Sequence, residues 1–240
     1  MQINPIKRTM KRKLPLVLLL ASICLCTNTF AQTGTSGSAQ RNDSTKTAKT
    51  YLDLVLNVMS TNFNYGISNQ ALKDYKKSIL GGQLGLSFQA GITPLFSLVP
   101  ELYITTEGGK LNANNPLTNS ESTVRLYAIE LPVLARFHFS DFHINAGPSI
   151  AYNFYGTQKI NDSSSDLSFD KSSAGFRRFD VGLQMGGGYT FHTKTKRITL
   201  DLRYNYGLTN ISYGHQMYNR SFVISLHLSN PWKTNPLCKN

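Results

Sequence analysis

Ile198-Thr199-Leu200-Asp201-Leu202-Arg203-Tyr204-Asn205-Tyr206 alternates without a break. In an extended chain, Ile198, Leu200, Leu202, Tyr204 and Tyr206 take one face, and Thr199, Asp201, Arg203 and Asn205 take the other. One face is apolar and ends in two tyrosines, whereas its reverse carries full charges. A soluble sheet could accommodate one such strand. About eight comparable segments recur along the 240 residues, joined alternately by long polar and short connections behind an export signal. That combination predicts an all-β fold, an eight-stranded antiparallel transmembrane β-barrel of the outer-membrane type, located in the cell outer membrane.

Working outward from residues 198–206, the expected strands lie near 51–62, 83–92, 96–106, 123–139, 142–155, 178–191, 198–206 and 219–229. The first sets Leu52, Leu54, Leu56 and Val58 against Asp53, Val55, Asn57 and Met59, and the third keeps its period through Pro100. Leu126 and Leu134 interrupt the polarity of the fourth. The expected connections run long at 63–82, 107–122, 156–177 and 207–218, and short at 93–95, 140–141 and 192–197. External loops of outer-membrane barrels grow long while periplasmic turns stay tight, so odd strands run outward. Tyr127, Tyr152, Phe154, Phe179, Tyr204, Tyr206 and Phe222 then fall near the outer rim, and Phe96, Phe137, Phe139, Phe142, Tyr189 and Phe191 near the periplasmic rim. Two girdles of rings are expected where the barrel meets the two interfaces.

A soluble lipocalin-like barrel is the structural competitor, and it demands the reverse polarity, with apolar side chains inside. Here the more polar face holds Glu101, Glu130, Arg136, Asp180, Asp201 and Arg203, whose unpaired burial in an apolar core is costly. The membrane reading is the better fit.

The chain opens with Lys7, Arg8, Lys11, Arg12 and Lys13, then the apolar run Leu14 to Cys26, then Thr29-Phe30-Ala31 before Gln32. This is the three-part layout of a secretory signal over residues 1–31, with Met1 or Met10 as its start. The apolar run is too short to span a bilayer as a helix, which needs about 20 residues. Ile23 and Leu25 before Cys24 and Cys26 argue against lipid attachment. All 13 acids but only 20 of the 25 basic residues lie beyond residue 31, so the mature chain carries a charge of about +7. The basic residues form no single patch, and no nucleic-acid partner is expected. Cys238 is then the only remaining cysteine, which excludes an internal disulfide or a cysteine metal site. Residues 32–50, rich in Ser, Thr, Gln and Gly, read as a disordered periplasmic linker, residues 51–229 as the barrel domain, and 230–240 as a C-terminal tail.

Several fragments recur in a particular order: Gly85-Leu86-Ser87-Phe88, Pro100-Glu101-Leu102-Tyr103, Ile129-Glu130-Leu131-Pro132, Ala146-Gly147-Pro148, Phe179-Asp180-Val181-Gly182 with Gly186-Gly187-Gly188-Tyr189, and Tyr204 to Ile211. This order resembles the PorT-like outer-membrane barrel proteins of Bacteroidetes, over about residues 52 to 229. The resemblance implies an eight-stranded outer-membrane barrel and, for the family's namesake, a part in protein secretion. The chain departs from a common outer-membrane pattern by running on from Ser229 to Asn240 rather than stopping at a terminal aromatic strand residue.

An eight-stranded barrel is only wide enough for its own side chains. Glu101, Glu130, Arg136, Asp180, Asp201 and Arg203 are therefore expected to form a structural charge network in the lumen rather than a conduction path. Gly182, Gly186 and Gly188 on the same face would leave room for bulky neighbours such as Tyr103, or permit close strand packing. His227-Leu228-Ser229 has the His-x-Ser spacing seen in a lipid A deacylase family, but both side chains face the lumen near the periplasmic end, and no acid follows in the sequence to orient the histidine. His138, His143, His192 and His215 read as rim or loop residues. No catalytic residue, cofactor or metal ligand is expected, and the chain is not read as an enzyme. The external loops remain, with Lys73, Lys76 and Lys77 in the first and Asp162, Asp166, Asp170 and Lys171 in the third. The expected partners are outer-membrane lipid, lipopolysaccharide, and envelope or secretion-complex proteins. The expected function is a structural or protein-interaction role in secretion or envelope assembly. A narrow solute channel is the alternative, and a lipid-modifying hydrolase a distant third.

Overall fold

Period-two alternation continued over 11 to 19 residues produces strands longer than a crossing requires, because about 9–11 tilted residues suffice. The computed structural model describes residues 50–117, 119–193 and 196–229. The expected signal peptide, all of the linker but Thr50, and the tail lie outside the described residues. The strands are β1 (Tyr51–Tyr65), β2 (Lys76–Lys77), β3 (Ile79–Thr93), β4 (Phe96–Leu111), β5 (Ser122–Phe139), β6 (Phe142–Ile160), β7 (Ser163–Asp166), β8 (Phe179–His192), β9 (Arg197–Gly207) and β10 (Met217–Ser229). All but β2 and β7 span the barrel, each pairing antiparallel with its chain neighbour. Closure comes from β1 and β10, paired from Leu54↔Leu228 to Tyr65↔Met217. The result is a closed eight-stranded antiparallel barrel. Closure pairs every strand edge, which a barrel in lipid requires.

The short connections are the turn after β3, the Ser140-Asp141 turn, where Ser140 adopts a left-handed φ of 60°, and the link from His192 to Arg197. The opposite end carries the long connections and is the external end. There the strands exceed the expected limits: β1 runs to Tyr65, β4 to Leu111 and β6 to Ile160. The first loop is a 3₁₀ segment, Ile67–Tyr75, followed by β2, and the third carries β7, which folds back onto β6.

These extensions escape a reading by polarity because the polarity itself changes along the strands. Along the lower part of the barrel, Leu54, Leu84, Leu102, Ile144, Leu202 and Ile224 are exposed on the outside while Asp53, Ser87, Glu101, Asn145, Asp201 and Ser225 are buried within. Above it, the inward positions become apolar: Phe63, Val124, Leu126, Phe176, Ile211 and Met217 form a buried cluster. Leu126, which breaks the pattern in the sequence, is fully buried in this cluster. A strand wet on its outside can fill its inside with hydrocarbon, and each such side chain contributes about 1.5–3 kcal/mol on burial. A bulge opposite Tyr127/Ala128 places Phe154 and Tyr155 both on the outside, where the belt meets this upper collar.

The rings cluster laterally. Phe96 and Phe137 lie 5.1 Å apart and Phe142 and Tyr189 4.7 Å apart on the periplasmic side, while Tyr152–Phe179 (5.2 Å) and Tyr204–Phe222 (4.8 Å) lie on the external side.

Candidate functional site

The inward positions of the belt converge on the barrel axis, and the antiparallel register brings together side chains far apart in the chain. Arg203, wholly buried, donates from Nη1 to Glu101 Oε2 at 2.5 Å and from Nη2 to the Tyr103 hydroxyl at 3.2 Å and Ser225 Oγ at 2.9 Å. Tyr103 in turn donates to the same Glu101 oxygen at 2.7 Å. Arg136, equally buried, bridges Asp201 Oδ2 at 3.0 Å and Gln89 Oε1 at 3.2 Å. Asp201 also meets His143 Nε2 at 2.7 Å and Asn145 Nδ2 at 3.2 Å. The two clusters touch, since Arg203 Nε lies 3.9 Å from Asp201 Oδ2.

The glycines of β8 make this packing possible. A side-chain carbon at Gly186 would lie 2.8 Å from Arg203 Cγ, and one at Gly188 would lie 2.9 Å from His143 Nε2 and closer still to Asp201. The register accounts for this, as Gly186 pairs with Arg203 and Gly188 with Asp201. The space therefore serves Arg203 and Asp201. Tyr103 is instead accommodated by Gly85, its partner on β3.

Of the six residues singled out from the sequence, Glu101, Arg136, Asp201 and Arg203 form ion pairs with one another. Glu130 and Asp180 are held differently. Glu130 accepts from Gln83 at 2.6 Å and from Gln184 at 2.7 Å, and Asp180 accepts from Asn219 at 2.8 Å and from Thr209. Glu107 joins them through Asn219 at 2.8 Å, so three carboxylates line a cavity of about 20 Å³, room for about one water. Neutral donors, the amides of Gln83, Gln184 and Asn219 and the Thr209 hydroxyl, supply the hydrogen bonds here without the counter-charge that guanidinium groups bring lower down.

A second ion-pair group, not expected from the sequence, lies at the periplasmic end. Arg197 donates to Asp53 at 2.9 and 3.1 Å, to Gln89 at 3.1 Å, and lies 4.0 Å over the Tyr51 ring. Counting back by twos from Arg203 and Asp201 reaches Arg197, so the parity signal is present, although residues 192–197 read as a connection. His143 needs correction: it is not a solvated rim group, being 3% exposed, whereas His227 faces the lumen as expected and is 1% exposed. Nor does His227 lack an acid, since Asp53 and Asp201 each lie 3.5 Å from one of its ring nitrogens. Those acids come from β1 and β9, invisible to a search along the flanking sequence. Ser229 Oγ accepts from Arg197 at 3.4 Å, and both His227 and Ser229 face the lumen, on the opposite side of the wall from lipid acyl chains. His138 is half-buried against Ser97 at 2.9 Å, while His192 and His215 sit at the rim and in a loop.

A family model for the outer membrane protein beta-barrel domain matches residues 30–213, well over half of the chain. The chain belongs to this family. It is accordingly an outer-membrane β-barrel protein, and its place is the outer membrane. The barrel is similar to solved structures of low identity. Neisserial surface protein A shares 14% identity over 75% of this chain and 97% of that one, with a TM-score of 0.44. OprG of Pseudomonas aeruginosa shares 12% over 80% and 98%, TM-score 0.38, and outer membrane protein W of E. coli shares 13% over 78% and 99%, TM-score 0.37. No curated protein sequence matches the chain.

In this outer-membrane barrel the buried lumen charges are joined by ion pairs and hydrogen bonds. Burying charge costs several kcal/mol per ion unless partners and further hydrogen bonds satisfy it. Here each arginine of the lower lumen has a carboxylate and at least one neutral acceptor. Among the external-loop residues, Lys73 and Lys77 are exposed, Asp166 accepts from the Tyr155 hydroxyl at 2.7 Å, and Asp170 binds Ser168 at 3.1 Å. Lys76 lines a groove on the outer wall.

Proposed function

We propose that this protein is a closed outer-membrane barrel whose work is done on its outer and external surfaces, as a structural or protein-interaction component of the envelope. The observation that carries this is the complete burial of Arg136 and Arg203 across the lumen, each tied to carboxylates from other strands. A conducting path would have to break those contacts. The order of fragments shared with PorT-like proteins supports a setting in secretion or envelope assembly, with lipid, lipopolysaccharide and envelope proteins as partners. The role is non-catalytic: the His227 and Ser229 pair lies inside the wall, away from acyl chains.

Two measurements test this. Crosslinking in intact outer membranes followed by purification of the full chain is expected to recover stoichiometric envelope proteins. Reconstitution in planar bilayers is expected to give no reproducible single-channel conductance. A steady conductance that rises on Arg203→Ala would overturn the closed-lumen reading in favour of a narrow channel.

A further inference from the structure

The outer wall at the external end of β1, β10 and β9 changes chemistry from row to row. Val58, Ile224 and Leu202 share one register row, Ser60, Phe222 and Tyr204 the next on that face, and Asn62, Arg220 and Tyr206 the one above. Across the three strands hydrocarbon thus gives way to the Phe222 and Tyr204 rings and then to the Arg220 cation beside Tyr206, over four residues, about 13 Å at about 3.3 Å per residue. These upper two rows border a groove of about 370 Å³, to which Lys76 of β2 contributes from the first external connection. Two cations line the groove and no carboxylate does. Among the described residues, neither Lys76 nor Arg220 takes part in an ion pair.

Arg220 is also held in a fixed pose. Its guanidinium lies 3.4 Å over the Tyr206 ring, and Nη1 donates to the carbonyls of Gly207 at 2.6 Å and Asn219 at 2.7 Å. Among the described residues Nε and Nη2 meet no acceptor, which leaves them for an outside one. A planar guanidinium locked by stacking and by backbone carbonyls loses little freedom on meeting a phosphate, which its remaining N–H fork fits. The occupant that matches all three rows is an amphiphile with its anion uppermost. A free anion would use the cations alone, whereas the rings of Phe222 and Tyr204 line the same groove. Rings at this depth mark the interface between acyl chains and headgroups, so an anion one row higher lies in the headgroup layer of the outer leaflet.

We infer that this groove is a binding site for a phosphorylated glycolipid of the outer leaflet, with Lys76 and Arg220 on a phosphate, Tyr206 and Asn62 beside the sugar, and acyl chains running down past Phe222 and Ile224. The inference rests on the outer-membrane placement and is independent of whether the lumen is closed.

Native mass spectrometry of the full chain in detergent micelles, supplemented with lipid A carrying both phosphates or with the same lipid A after dephosphorylation, tests it directly. The phosphorylated form is expected to remain bound at least about tenfold better, the equivalent of one charge-assisted contact. Lys76→Glu with Arg220→Gln should abolish that preference, whereas Lys159→Glu, on an exposed part of the wall elsewhere, should leave it intact. Because Arg220 also braces the backbone, Lys76→Glu alone is the second variant, and it should weaken retention severalfold in a barrel of unchanged stability. Equal retention of the two lipids, or retention unaffected by both Lys76 variants, overturns the inference. So does full competition by millimolar inorganic phosphate, which would mark a soluble-anion site instead.

Discussion

The membrane belt and the external collar share strands, β1, β5 and β10 among them, and obey opposite rules. In the belt, Leu202 and Ile224 face lipid while Arg203 and Ser225 face the axis; in the collar, Asn62 and Arg220 face outward while Phe63 and Met217 face the axis. One continuous strand, β1, passes from the first regime to the second between Val58 and Phe63 without losing its alternation. The difference teaches that the solvent outside the wall, rather than the strand itself, decides which parity holds the charges. Where the outside is hydrocarbon, the polar groups have only the axis, and where the outside is water, the axis can be filled as an ordinary core.

The sharpest way to break this contrast is to remove a hub of the belt lumen. Asp201→Ala leaves Arg136 buried beside no carboxylate and strips a partner from His143, so a loss of about 3–5 kcal/mol is expected in urea unfolding of the micelle-embedded barrel. A loss under about 1 kcal/mol would mean that water reaches the axis freely and the network is not a sealed one. Next in size is the collar core, where Leu126→Ala should cost about 2–5 kcal/mol, because the fully buried side chain leaves a cavity. The contrast predicts that the same truncation at Leu202, on the lipid face, costs far less, since lipid fills the space. Putting a charge on the outer wall gives the third comparison: Leu202→Arg in the belt should destabilise by about 2–4 kcal/mol at midplane depth. The smallest effect is the same charge placed outward in the collar. Ser165→Arg, on the exposed strand β7 and opposite the neutral Gln158, should stay within about 0.5 kcal/mol of the parent protein. If the last two variants behaved alike, the boundary between belt and collar would be drawn in the wrong place.

The alternation from Ile198 to Tyr206 suffices to read the belt, because a soluble sheet repeated eight times would not keep full charges on one parity and bare hydrocarbon on the other. The pairing of each strand with its chain neighbour follows from the alternation of long and short connections. The collar is not legible, since its apolar inward residues invert the rule that locates the belt, and Leu126 reads as a flaw in the pattern. The partners within the lumen are only half legible. Parity shows that Glu101 and Arg203 face inward, but their meeting depends on how strands distant in the chain are staggered around the axis. Asp53 with Arg197, and Asp201 with His143 and His227, are hidden for the same reason. The amides of Gln83, Gln184 and Asn219 give no signal at all, because an inward amide is unremarkable until a carboxylate is found beside it.

The bridge from Arg197 to Asp53 spans β10, linking β9 to the first strand of the chain. Its two members are separated by nearly the whole domain, and they can meet only when the last strand is already seated between them. A barrel open at that seam holds the guanidinium and the carboxylate apart, so the pair is a marker of closure, complete only where β10 has joined both of its neighbours.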